Sequence, residues 1–453
     1  MFLTVAGLAG TVAGIGQMQV AAESRRGGAP LGGVPDVAVS RVGLGSSGNG
    51  TDSFAYYGSF GGIRAFAMAS TSCNVGTAVA EWINSHSGAS AGKHPVIAQN
   101  MYRLLDGRFE QIGMSWLKHS FCAVSEPTCG VCQATNCSTL GIGCADTYSA
   151  SLNGNQGSLG PRSEINPWPA VGVATHTTYS APTGNATISG RLQIRDVDIN
   201  AGGQNFAEIQ YVTHDEPFAL RHNNASWREV NLSLTLITGV GAGQASVIRE
   251  PVLTAWALND PGALFLKIDV PDDGRLYLGY KATDLGGGMW HYEYALQNLN
   301  SDRAARLFSL PIAAGVTVTN TGFHDVDYHS GEPYDGTDWP VAVGGGLVEW
   351  STQTESVNPN ANAVRWGSLY NFRFDADRPP VNVSATIGLF TSGTPTDLTV
   401  QILGPSASAA CPWDLDGDGA VAVPDLLFVL ANWGAPYDVP DLLALLNDWG
   451  ACP

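Results

Sequence analysis

Residues 264–280 read LFLKIDVPDDGRLYLGY, and this stretch decides the fold class. Leu264, Leu266, Ile268 and Val270 alternate with other residues at the strand period of two. Asp273-Gly274 then supplies a turn, and Leu276, Leu278 and Tyr280 resume the alternation. Two alternating runs joined by Asp-Gly predict a β-hairpin. The pattern recurs on both sides. Leu232, Leu234 and Leu236 alternate, as do Trp290, Tyr292, Tyr294 and Leu296. Val381 to Leu389 alternates, and Leu398, Val400 and Ile402 close the series. Short strands separated by turn residues predict an antiparallel β-sandwich over 181–403.

Upstream the reading is mixed. Ile97–Leu105, Asp106-Gly107 and Arg108–Trp116 predict another hairpin. Asn74 stands where it can cap a helix with Val75, Ala78, Val79, Trp82 and Ile83 on one face. Cys73, Cys122, Cys129, Cys132, Cys137 and Cys144 fall in the first third. Cys129 and Cys132 form a CxxC, but no second CxxC accompanies it and no His follows at zinc-finger spacing. A disulfide-stapled region over 23–180 is the expectation, with fifteen pairings open to six cysteines. Residues 160–169 read as an irregular connection.

Composition narrows the function. The chain has 453 residues, 55 Gly, 25 Pro and a net charge of -18, which suits a turn-rich extracellular protein. An acidic surface argues against nucleic acid and anionic membranes as partners. Residues 1–22 read as a signal peptide, with Val20-Ala-Ala22 before Glu23 as the cleavage site, although a basic n-region is missing. No other apolar run reaches membrane-spanning length, so no transmembrane segment is expected.

Several groups are candidates for chemistry. Asp325, Asp327 and His329 would share one face of a strand, as a metal triad or an acid-base set. His94 and His119 lie equally far from the Asp106-Gly107 turn and would meet across that hairpin, where copper or zinc is conceivable. His214, Asp215, Glu216 and His222 form a looser cluster, and Asp196 and Asp198 read as a solvated strand face. No GxSxG, HExxH, P-loop or haem-attachment motif occurs.

The C-terminus carries the sharpest motif. Residues 414–425 read DLDGDGAVAVPD. Asp414, Asp416, Asp418 and Asp425 occupy loop positions 1, 3, 5 and 12, Gly419 the turn position 6, and Ala420 the carbonyl position 7. Four carboxylates so close repel unless a hard cation neutralises them, and residues 411–452 contain no Lys or Arg. Residues 423–434 (VPDLLFVLANWG) recur sixteen residues later as 439–450 (VPDLLALLNDWG), each with Pro where a helix begins and Gly where it ends. Leu426, Leu427, Leu430 and Trp433 are expected to pack against Leu442, Leu443, Leu446 and Trp449.

This segment resembles a dockerin, in the compact Cys-flanked form of planctomycete-type bacteria. The resemblance implies docking to a cohesin-like or other surface receptor. The second loop is degenerate, with Leu430, Asn432 and Gly434 at positions 1, 3 and 5 and only Asp441 kept at position 12, so one Ca2+ is expected. A Cys411–Cys452 disulfide is expected to clasp the module. Residues 404–410 read as a linker. Two functions follow: a secreted, surface- or matrix-anchored binding or structural protein, or an anchored extracellular enzyme. The resemblance makes polysaccharide the substrate class for the enzyme, and the many Trp and Tyr offer stacking platforms for sugars.

Overall fold

The computed structural model describes residues 33–43, 53–85, 88–176, 178–240, 246–329, 331–407, 411–416, 420–434 and 436–451. The expected signal peptide, the linker tip 408–410, Asp418, Gly419 and Cys452 lie outside them. The chain is mainly β, built from several antiparallel sheets, with two short helices at its C-terminal end.

The opening hairpin forms as read. Leu264–Asp269 pairs with Arg275–Gly286, with Leu266 opposite Leu278 and Ile268 opposite Leu276. A Cβ at Gly274 would lie 2.2 Å from the Asn300 carbonyl, so only glycine fits this turn. The hairpin belongs to a five-stranded sheet that continues through Met289–Asn298, Leu369–Ala376 and Val318–His324. A second five-stranded sheet runs Val341–Gly344, Leu347–Ser351, Ala305–Pro311, Pro380–Leu389 and Asp397–Pro405. Between them lies an aromatic core that includes Tyr292, Tyr294, Phe308, Trp350, Phe372 and Phe374. This is the expected sandwich.

The expected boundary near 180 does not separate sheets. Leu192–Arg195, Gln204–Val212 and Ala225–Leu232 join a ten-stranded sheet with Phe54–Phe60, Ile63–Met68, Val96–Leu105 and Arg108–Met114. Strand Val96–Leu105 is covered on both faces. Ile97 and Met101 face a core shared with the small sheet Val37–Val42, Ser70–Asn74 and Ala145–Tyr148. Tyr102 and Leu104 face Trp256, Tyr277 and Leu369 on the sandwich side. The run Leu232–Leu236 is not one strand: the chain turns after Leu232 and returns as Ile237–Gly239.

Buried polar groups bolt these layers together. Arg162, in the irregular connection, donates to the carbonyls of Ser115, Gln99 and Gly367 and to Asn100 Oδ1. Burial lowers its pKa to about 10. Glu208 accepts from Asn100, Tyr102, Gln297 and the Val252 N–H, and burial pushes its pKa up.

Two local expectations fail for stated reasons. The helix after Asn74 does not form. Val75 and Thr77 donate to the carbonyls of Asp36 and Val34, and Gly76 packs so closely on that backbone that a Cβ would lie 2.4 Å from Val34 O. Residues 404–405 are not linker but the end of strand Asp397–Pro405. The disulfide expectation holds: Cys73 pairs with Cys129, Cys122 with Cys137 and Cys132 with Cys144. Cys411 is also disulfide-bonded.

The C-terminal helices are Val423–Ala431 and Val439–Asn447. Of the expected stripe residues, Leu426 packs against the helix core, whereas Leu427, Leu430, Trp433, Leu443, Leu446 and Trp449 are exposed. The shared core of the two helices is Val421, Val429 and Leu445, with Trp413, Leu415 and Tyr437 against it. Leu430 is 48 % exposed and its repeat equivalent Leu446 47 %, while Trp433 and Trp449 are 46 % and 45 % exposed.

Candidate functional sites

Among the described residues, three groups bring His or carboxylate ligand atoms within 4.8 Å of one another: Asp414–Asp416–Asp425, His94–His119–His176 and Glu81–His214–Asp215.

The acidic group lies at the start of the C-terminal module. Asp425 caps helix Val423–Ala431 from its first turn, accepting from the N–H of Ala422 at 2.8 Å, Leu415 at 2.5 Å and Asp416 at 3.2 Å. These donors, the Ala422 N–H foremost, hold its carboxyl below the usual range. Calcium–oxygen distances of about 2.3–2.6 Å put ligands on opposite sides of one ion roughly 5 Å apart. The spread of these three carboxylates fits such a sphere. The expected ligand Asp418 lies outside the described residues, and Ala420 pairs with Ala451 across a short two-stranded ladder.

Asp325, Asp327 and His329 do not assemble. Strand Val318–His324 stops before them, so the period of two that would align them is lost. Asp325 accepts from Asn362 at 2.6 Å, and burial raises its pKa to about 7. Asp327 points outward to Arg195 at 3.2 Å. His329 turns inward, its Nε2 3.0 Å from the Arg191 carbonyl and its ring beside Trp116. The adjoining cleft, lined by Gln111, Arg195, Asp198, Asp325 and Asp327, offers 30 Å³, room for about one water.

His214 and Glu216 also diverge. His214 Nε2 lies 2.6 Å from Glu81 Oε2. Glu216 points away, accepting from Val37 N–H, Thr213 and Asn224, and burial raises its pKa to about 8. His222 stacks on Trp168, 5.0 Å between ring centroids, and burial lowers its pKa to about 4. Asp196 and Asp198 open a short helix instead of lining a strand, and pair with Arg64 and Arg195. Trp168 also stacks on Phe218 and, with Asp272 and Asp273, lines an open hollow of 350 Å³.

The histidine pair flanking the first hairpin does meet. Arg103 stands opposite Glu110 near the turn. By the far end the register has slipped, so His119 faces Val96, and His94 lies two residues earlier in a bend that precedes the strand. His94 Nε2 lies 2.9 Å from His119 Nδ1. A third histidine joins them: His176 Nε2 is 3.4 Å from His94 Nε2. All three rings are buried. His176 escaped the sequence reading because it sits in an irregular stretch with no periodicity to place it.

No protein-family model matches the chain, and no curated protein matches it in sequence. Among solved structures, a similar one is the N-terminal domain of the Streptococcus gordonii adhesin Sgo0707, at 7 % identity and a TM-score of 0.17. The match covers 76 % of this chain and spans 61 % of the adhesin chain. At that score it carries no argument about fold or function.

Proposed function

We propose that this is a secreted binding protein, held at a cell surface or in an extracellular matrix by a calcium-loaded, dockerin-like C-terminal module. The observation that carries the reading is the module's own imbalance. Its helices leave Leu430, Trp433, Leu446 and Trp449 open to solvent in equivalent positions of the two repeats. Apolar side chains repeated in this way form a surface suited to a receptor of complementary shape. The Asp414–Asp416–Asp425 group supports one Ca2+ beneath it. Three disulfides support an oxidising compartment. Among the described residues no helix is long and apolar enough to cross a membrane.

The body presents no assembled acid-base pair at Asp325 and Asp327, which weighs toward binding over catalysis. For the ligand, the Trp168–Phe218 hollow, which Asp272 also lines, supports a polysaccharide, since sugars stack on aromatic faces and hydrogen-bond to acids. Tethering is tested on the producing cells. Washing with a calcium chelator should release the protein, and Asp414→Ala should shed it into the medium. Retention of both through chelation would refute the tether.

A further inference from the structure

We propose that His94, His119 and His176 bind one late first-row divalent transition-metal ion, zinc or copper, in the body of the protein. The local chain is built to bring these three side chains together. Gly92 has φ +73°, and a Cβ there would lie 2.5 Å from the His176 carbonyl oxygen. Thr175 Oγ1 donates to the Gly92 carbonyl at 2.9 Å, and the Asn166 N–H holds the Thr175 carbonyl at 2.9 Å. That fixes His176 beside the segment carrying His94. On the other side, Gly160 pairs with Leu117 and packs so tightly that a Cβ would lie 2.7 Å from His119 Nε2. A side chain at Gly92 would push the His176 backbone away, and one at Gly160 would displace the His119 ring.

The tautomers point the same way. His94 Nδ1 lies 3.2 Å from the Ile83 carbonyl, and His176 Nδ1 lies 3.0 Å from the Thr178 carbonyl. A carbonyl only accepts, so both Nδ1 atoms carry the proton and each neutral ring turns an Nε2 lone pair inward. Those two Nε2 atoms face each other at 3.4 Å. Two acceptors at that distance repel unless a cation lies between them. Either a metal ion or the second proton of an imidazolium would relieve that repulsion.

Backbone carbonyls on the outer nitrogens are also the usual orienting shell of metal-bound histidine. Zinc–nitrogen bonds of about 2.0–2.1 Å at tetrahedral angles place ligand nitrogens roughly 3.3 Å apart. The observed separations are 2.9 and 3.4 Å. Three imidazoles with no carboxylate among them suit zinc or copper and not calcium or magnesium. Burial of all three rings places the ion inside the fold, where it would tie the His176 loop to the hairpin.

The test uses the full chain, free of any polyhistidine tag, purified without chelator and kept in calcium. Elemental analysis should find one zinc or copper per chain. After its removal, calorimetric titration with Zn2+ or Cu2+ should restore one site, and Co2+ should give the visible d–d bands of a four-coordinate site with three imidazoles and one non-protein ligand. His119→Asn and His176→Gln should each weaken binding by at least about 100-fold, beyond what loss of an orienting partner costs. Near-UV circular dichroism checks their folding, and the Co2+ spectrum of the unaltered chain needs no variant. Absence of any saturable Zn2+ or Cu2+ site overturns the proposal. So does binding that survives undiminished in both folded variants, which would place the ion elsewhere, for instance at Glu81 and His214.

Discussion

The body and the C-terminal module solve opposite problems. Strand Val96–Leu105 is packed on both faces, and the sandwich encloses Phe308, Trp350 and Phe372. The module buries three apolar side chains outright, Val421, Val429 and Leu445, and exposes most of the stripe of each helix. Two nine-residue helices over so small a core are not stable by burial alone. The body therefore holds itself together, whereas the module has a disulfide at Cys411 and, on the function proposed above, would depend further on a calcium ion and a partner surface.

The largest effect should come from breaking that dependence. Asp414→Ala or Asp425→Ala should abolish calcium binding and unfold residues 411–453 while the body stays folded. Limited proteolysis would show cleavage confined to the C-terminal end, and loss of the whole chain to protease would contradict the contrast. Next, Phe308→Ala should destabilise the body by about 3–5 kcal/mol, measured by denaturant titration. Arg162→Met should cost about 3 kcal/mol by removing four buried hydrogen bonds, even though Gln99 O and Gly367 O keep the Ser115 N–H and the Gln111 amide as donors. Leu443→Ala, on an exposed helix face, should stay within about 0.5 kcal/mol.

A pH effect should separate the regions further. Burial raises the Glu216 carboxyl from 4.5 to about 8. The folded body then holds a proton that the unfolded chain releases between those values. Its contribution is present in full below pH 4.5 and is lost as pH rises through about 8. The melting temperature of the body should therefore fall across this window, and Glu216→Gln should flatten the fall. An equal slope in the variant would assign the effect elsewhere.

The same contrast explains what was readable in the sequence. Strands with one turn and one pattern, such as Leu264–Asp269 with Arg275–Gly286, announced themselves through alternation. The acidic loop was legible as a local pattern, and Asp414, Asp416 and Asp425 do lie together. What depended on distant backbone was hidden. Asn74 lacks its helix because residues 34–36 take the hydrogen bonds, and Asp325 and Asp327 diverge because the strand ends at His324. Equal distances to a turn pointed to His94 and His119, but a register slip sets His119 opposite Val96, and their contact depends on the bend before that strand. His176 arrives from an irregular loop held by Gly92, a close approach that no local period encodes. The helix stripes misled because apolar periodicity marks a sticky face without saying whether the chain itself covers it.

The central claim is that a self-sufficient body carries a calcium-dependent docking module. Calorimetric titration of calcium-stripped full-length protein with Ca2+, beside its Asp414→Ala variant, tests this most directly. One site in the unaltered chain, absent from the variant, is the predicted result. No calcium binding, or a site that persists in the variant, would contradict the account.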